Sequence, residues 1–260
     1  MSIPWRRLLI GLGLGIGLCG TAAPADTVLL ATGDYPPLAG EGEPDGGLLT
    51  QVVVAAYAAQ GVSVRLTYLP WQRGYNETLS GFYTGTFPYV KNAEREALFL
   101  FSNSLHTDTI RLFALSNATL PVRWSGKSIC VPLGYGIQQI QAFALANAAR
   151  LERPASMVNC FQLLQLGRVQ GVWSSEIVAE QVTRPLRASG LQYKPLMLEV
   201  DYPVDYYLMV PRVHPDAAGV IARFNTGLAL ARKSGAVKKI LSPLALGPLA
   251  SAGSLRATSL

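Results

Sequence analysis

The chain has 260 residues, half of them hydrophobic and only 15% charged, with a formal net charge of +6. That composition excludes a disordered chain. Its basic residues are scattered, with no Lys/Arg cluster interleaved with aromatics, which excludes nucleic acid as the expected partner. The length suits two modest lobes sharing one chain.

Arg6 and Arg7 precede an apolar run from Leu8 to Cys19, followed by the small-residue stretch Thr21, Ala22, Ala23, Pro24, Ala25. This is the order of a secretory signal peptide, and the run is shorter than the ~20 apolar residues of a spanning helix. Cleavage is expected after Ala25, with residues 26–260 exported to the periplasm. A lipoprotein acceptor at Cys19 is disfavoured by Leu18 before it, and the twin arginines lack the polar surroundings of a twin-arginine signal. Gly11, Gly13, Gly15 and Gly17 imitate a dinucleotide-binding loop, yet no strand precedes them. With Cys19 removed, Cys130 and Cys160 remain as an even pair in an oxidising compartment, and a disulfide is expected. Two buried free thiols are the alternative.

Val28–Thr32 reads as a strand that stops at Gly33-Asp34-Tyr35-Pro36-Pro37. Leu48–Gln60 reads as a helix with Gly61 just past its end, and Val62–Leu69 as a strand. Such β–α–β order builds parallel sheets. It recurs after residue 125, with Lys127–Val131 as strand, Gly134-Tyr135-Gly136 as turn and Gln138–Ala149 as helix. Ala155–Val158, Phe161–Leu166 and Val169–Trp173 repeat it in miniature. Two β-rich segments, Thr109–Leu115 and Tyr206–Val210, lie between the halves and would form a two-strand hinge if side by side. Pro215 and Asp216 then open a helix to Ser234, with Ile221, Phe224 and Leu228 on one face and Arg232 and Lys233 in its last turn. The small residues beyond Leu246 predict a loose tail.

From Gly33 to about Leu244 the chain resembles the amino-acid-binding family of bacterial extracellular solute-binding proteins. The resemblance rests on the order of short pieces: Gly33-Asp34-Tyr35-Pro36-Pro37, Pro70-Trp71-Gln72-Arg73, Glu94-Arg95, Phe101-Ser102-Asn103-Ser104-Leu105, Ser125-Gly126-Lys127, Leu133-Gly134-Tyr135 and Gly167-Arg168-Val169. The Pro-Trp-x-Arg and Phe-Pro-Tyr-Val elements look like a divergent branch. The resemblance implies an α/β, two-lobed, type II periplasmic-binding-protein fold, each lobe a mainly parallel sheet flanked by helices. Residues 26–113 and 206–245 would form the first lobe, 114–205 the second, and 246–260 the tail.

The same resemblance implies the site. An arginine at the place of Arg95 clamps a ligand carboxylate, which its planar fork matches; an ordinary surface arginine paired with Glu94 or Glu96 is the alternative. Tyr35 becomes a wall of the site, or else a turn residue over the sheet edge. Trp71 and Arg73 follow a strand's carboxyl end, where open α/β sheets bind ligands, although Trp71 also fits a core position. Pro88 and Tyr89 occupy a stretch where amino-acid binders carry hydroxyl residues. Tyr135 and Gly136, before a helix, offer an anion cradle or a structural turn. The family's acidic residue for the ligand ammonium falls at Ser175, with Glu176 one step later as substitute or as an ordinary first-turn acid.

The expected function is capture of a small polar, carboxylate-bearing molecule by lobe closure, as a monomer without cofactor. The expected partners are the membrane subunits of an ABC-type importer or a membrane receptor. A cleft enzyme is the other class, but His106 and His214 are the only histidines, and no metal-binding spacing or nucleophile motif accompanies them.

Overall fold

The first alternation folds as β1 (Thr27–Thr32), α1 (Leu48–Ala58) and β2 (Ser63–Tyr68), with β1 and β2 parallel from Thr27 opposite Ser63 to Thr32 opposite Tyr68. This is a computed structural model, describing residues 26–119, 123–196 and 202–246; the expected signal peptide and the tail after Leu246 lie outside the described residues. Leu49, Val52, Val53, Ala56 and Tyr57 form the buried stripe of α1, at the spacing of one helical face. The chain turns back at Gly61, whose φ of +68° favours glycine.

There follow α2 (Trp71–Leu79), β3 (Gly85–Tyr89), α3 (Ala93–Leu98), β4 (Phe99–Phe101) and the long β5 (His106–Leu115). The second half comprises β6 (Ser128–Cys130), α4 (Gln138–Ala146), β7 (Arg150–Glu152), α5 (Met157–Gln165), β8 (Gly171–Ser175), α6 (Glu176–Ala188) and β9 (Tyr193–Leu196). Finally β10 (Tyr202–Pro211) returns to the first half and leads into α7 (Ala217–Lys233) and α8 (Ala236–Leu241). The strand order is β2-β1-β3-β10-β5-β8-β6-β7, with β4 on β10 and β9 on β5.

The two halves meet where β5 and β10 run antiparallel, residues 106–110 against 202–206. Beyond that crossing β10 pairs with β3 and β4, while β5 pairs with β8 and β9. The β-rich segments read as the hinge thus belong to these strands, but Thr109–Leu115 and Tyr206–Val210 are mostly the parts buried in separate sheets. The crossing itself carries Thr107, Asp108, Thr109 and Asp205, too polar to stand out in a hydrophobicity pattern. Asp205 accepts hydrogen bonds from Thr107 and Ser104, and these hold its carboxyl below the ordinary range.

Each half has its own core. Leu30, Val53, Tyr57, Phe87, Phe224 and Leu228 pack between β1, β3, α1 and α7, and Gly227 lets α7 approach α1 so closely that a Cβ there would strike the Ala56 carbonyl. In the second half β5 and β8 alternate sides: Phe113 and Val172 join Phe161 and Cys160 on one face, Leu112 and Trp173 join Trp124 and Ile129 on the other. One local expectation is corrected. Ala155–Val158 is not a strand; Ser156 caps α5 by accepting from the Asn159 N–H, and the strand before it is β7. Its Arg150 and Glu152, alternating with Leu151 at a sheet edge, hide it from an apolar pattern.

Cys130 and Cys160 are joined by a disulfide that fastens the end of β6 to α5 across 30 residues. Closing a loop of that length stabilises by about 3–4 kcal/mol through the unfolded chain. The Cys130→Ala/Cys160→Ala protein should show a correspondingly lower urea midpoint than the oxidised parent; an unchanged midpoint would refute the stabilising role.

Candidate functional site

The loop after β1 leaves the sheet at a strand's carboxyl end, and its backbone closes on itself through the Tyr35 N–H to the Ala39 carbonyl at 2.7 Å. That turn presents Tyr35. Trp71, the first residue of α2, lays its ring against Gly33, where any Cβ would come within 2.8 Å of the indole, and donates from Nε1 to the Asp34 carbonyl at 3.2 Å. Tyr89 closes β3 and donates from its hydroxyl to the Trp71 carbonyl at 3.3 Å.

Arg95 is fixed from three sides. Asn92 caps α3 by accepting the Arg95 backbone N–H at 2.8 Å, Nη1 donates to the Val90 carbonyl at 2.7 Å, and the guanidinium carbon lies 5.0 Å from the centre of the Tyr89 ring. Burial lowers its pKa, opposed by the nearby Tyr89, Tyr75 and Glu94. It makes no ion pair with any described residue, and the Glu94 carboxylate that acts on it stays exposed.

From the second half, Tyr135 sits between Gly134 and Gly136, and Gly134, at φ +82°, packs against Trp71 so tightly that a Cβ would lie 3.2 Å from the Trp71 Cβ. Trp173, Ser174 and Ser175 come from the carboxyl end of β8. Between the halves Tyr206 of the crossing strand meets Tyr35, hydroxyl to hydroxyl, at 2.9 Å. Tyr35 is the centre of this group, its ring 5.4 Å from Tyr135, 5.7 Å from Tyr206 and 6.3 Å from Trp71. The cleft between these groups opens to solvent and has a cavity volume of about 140 Å³.

Tyr35, Trp71, Pro88, Tyr89 and Arg95 all line this cleft on the first-half side, and Tyr135, Gly136 and Ser175 on the other. Arg73 and Glu176 do not. Two residues on from Trp71, Arg73 projects from nearly the opposite face of α2, exposed and paired through Nε with Glu77 at 2.6 Å. Glu176 is turned to Arg111, whose Nε lies 2.8 Å away. Tyr206, Trp173, Lys91 and Gln139 line the cleft without having been singled out. The position of Trp173 at a strand's carboxyl end was a usable signal, whereas Tyr206 reads only as one of two adjacent tyrosines in a β-run.

Burial pushes Tyr35 and Tyr89 up to about 12 and Tyr135 and Tyr206 well above the ordinary value, so these phenols stay neutral near pH 7. Asp108, on the crossing strand and only 6% exposed, is raised by burial to about 6, although the Ser175 hydroxyl and the Thr109 N–H hold it partly down. Among the described residues no group of three or more His, Cys, Asp and Glu side chains is placed to hold a metal ion, and no helix is long and apolar enough to cross a membrane. The arrangement can hold an anion at Arg95 and apolar surface against the rings.

No protein-family model matches the chain, and no curated protein matches it either. Solved structures do. An ancestral arginine-binding protein bound to arginine is 18% identical with a TM-score of 0.70, over 84% of this chain and 97% of the other. The ligand-binding core of GluR0 from Nostoc punctiforme in complex with L-glutamate is 13% identical, TM-score 0.69, over 83% and 98%. A histidine kinase sensor domain with similarity to periplasmic binding proteins is 19% identical, TM-score 0.71, over 84% and 96%. The chain therefore has the two-lobed periplasmic-binding-protein fold.

Asp108 makes stability depend on pH. Because its folded-state pKa lies above the ordinary 3.8, the folded chain keeps this proton to higher pH than the unfolded one, and the stability so gained is lost as pH rises from about 4 through about 6. That difference corresponds to about 3 kcal/mol. Urea unfolding at pH 4 to 7 should show the parent losing about 2–3 kcal/mol more than Asp108→Asn; parallel curves would rule this out.

Proposed function

We propose that this protein is an exported solute-binding protein that captures a small carboxylate-bearing molecule between its lobes, delivering it to the membrane subunits of an ABC-type importer. The observation that carries this reading is Arg95, a partly buried guanidinium with no ion-pair partner among the described residues, bordering an interlobe cleft walled by aromatic rings. An unpaired, desolvated charge is costly, and a bound carboxylate offsets that cost through the bidentate geometry guanidinium favours. One hydrogen bond to a charged group contributes about 1.5–3 kcal/mol, while micromolar binding needs about 8 kcal/mol. Contacts from both lobes must supply the remainder, so capture and closure go together, with bending at the β5/β10 crossing. The solved structures of similar fold include proteins named for amino-acid binding and amino-acid ABC transport, which supports the reading. A ligand-sensing module for a membrane partner is the second reading, favoured by the likeness to a histidine kinase sensor domain.

Mass spectrometry of the natively purified protein should find a small carboxylate. Titrated calorimetrically with that molecule, Arg95→Ala should bind at least tenfold more weakly while unfolding with the same cooperativity. Equal affinity of parent and variant removes the clamp.

A further inference from the structure

The charges lining the cleft are of one sign. Arg95 borders it, as does the stem of Lys91, whose ammonium lies over the Tyr207 and Phe101 rings outside the lining, and among the described residues no Asp or Glu does. The acids nearest to it are otherwise disposed. Glu176 is paired with Arg111, Asp34 is exposed and accepts from the Glu41 N–H, Asp108 is buried on the crossing strand beside Ser175 with its Oδ2 unpartnered, and Glu94, exposed, borders the adjoining space that Arg95, Trp71, Tyr89 and Tyr135 also line. Donors, in contrast, are in excess. Four of the five Arg95 N–H groups remain after the one given to Val90, and Trp173, 3% exposed, has a buried indole N–H with no hydrogen-bond partner. A primary ammonium brought here would enter a partly desolvated space beside the Arg95 guanidinium, with no carboxylate in the lining to receive it.

The walls point to the rest of the molecule. Tyr35, Trp71, Tyr89, Tyr135, Trp173 and Tyr206 surround the space, and Tyr35 packs edge-to-face with Trp71, Tyr135 and Tyr206, as Trp71 does with Tyr89. The Tyr35 and Tyr206 hydroxyls meet each other. What remains for a ligand is largely apolar ring surface, which suits a flat body. Aromatic walls also attract quaternary cations, but the Arg95 guanidinium, already over Tyr89, opposes that.

We propose that the cleft selects an aromatic carboxylate lacking an α-ammonium group, with the carboxylate at Arg95 and the ring among the tyrosines and tryptophans. This rests on the reading of the cleft as a solute site and names its ligand class.

Matched probes test it. The full mature chain, unfolded and refolded to strip bound solute, is titrated with 3-phenylpropanoate against L-phenylalanine and with indole-3-propanoate against L-tryptophan, members of each pair differing by the ammonium. Glycine betaine, succinate, L-arginine and L-glutamate complete the panel. The deaminated acid of at least one pair should bind tenfold or more tighter than its amino acid and than the rest of the panel, and Arg95→Ala should cost it at least tenfold. Gln139→Glu, which places a carboxylate in the lining, should narrow the ratio within the pair at least threefold; a ratio that does not move counts against the missing acceptor as its cause. Tighter binding of either amino acid, of betaine, of succinate, of arginine or of glutamate overturns the ligand class and leaves solute capture standing. No binding by any of the panel at millimolar concentration sinks both.

Discussion

The architecture depends on a short stretch of antiparallel backbone. Residues 106–110 and 202–206 join two halves that each have a core of their own, with Tyr35 packed against both. A two-strand connection is stiff along the strands and compliant to twist and bend, so it allows two packed bodies to change their angle without disturbing either core. The side chains at the crossing fit that position. Asp205 collects hydroxyl donors on one side, Asp108 is buried on the same pair of strands, and Tyr206 reaches from it to the Tyr35 hydroxyl. The contact between those two phenols ties the loop after the first strand to the place where the halves meet.

Arg95 illustrates how a fold holds a charge that local sequence would neutralise. It stands between Glu94 and Glu96 on a helix of six residues, a setting in which an exposed ion pair is the ordinary outcome. Neighbours one position apart on a helix do not face each other, and both glutamates stay exposed. The Asn92 cap fixes the start of α3, the Val90 carbonyl takes one N–H, and the Tyr89 ring supports the guanidinium from below. Side-chain rotation is thereby spent in advance of any encounter, which is what preorganisation means for a binding group.

The regular elements of the first half were legible because their signals are local. Strand, proline-rich stop, alanine-rich helix and glycine turn each act within a few residues, and β1, α1 and β2 fall within two residues of their expected ends. Short polar elements were not. β7 carries Arg150 and Glu152, the crossing carries aspartates and threonines, and α2 and α3 are too brief for a helical period to declare itself. Most of the site was reached through motif order, but Arg73 and Trp71 are inseparable on that basis; a rotation of two residues around one helix sends the first to solvent and the second to the cleft.

Composition and local pattern were enough to suggest an α/β chain in two halves and to pair two cysteines, while the arginine and the aromatic loop were nominated by the order of family-like motifs. Those are properties of short windows and of chemistry that residues carry with them. Which residues share one space had to wait for packing. Tyr35 and Tyr206 are 171 positions apart and meet at 2.9 Å, Trp71 rests against a glycine from the other half, and Glu176 is drawn from the cleft by an arginine on a neighbouring strand. Side-chain partnership of that kind is set by strand register and helix rotation, quantities fixed by the summed burial of both cores and carried by no single segment.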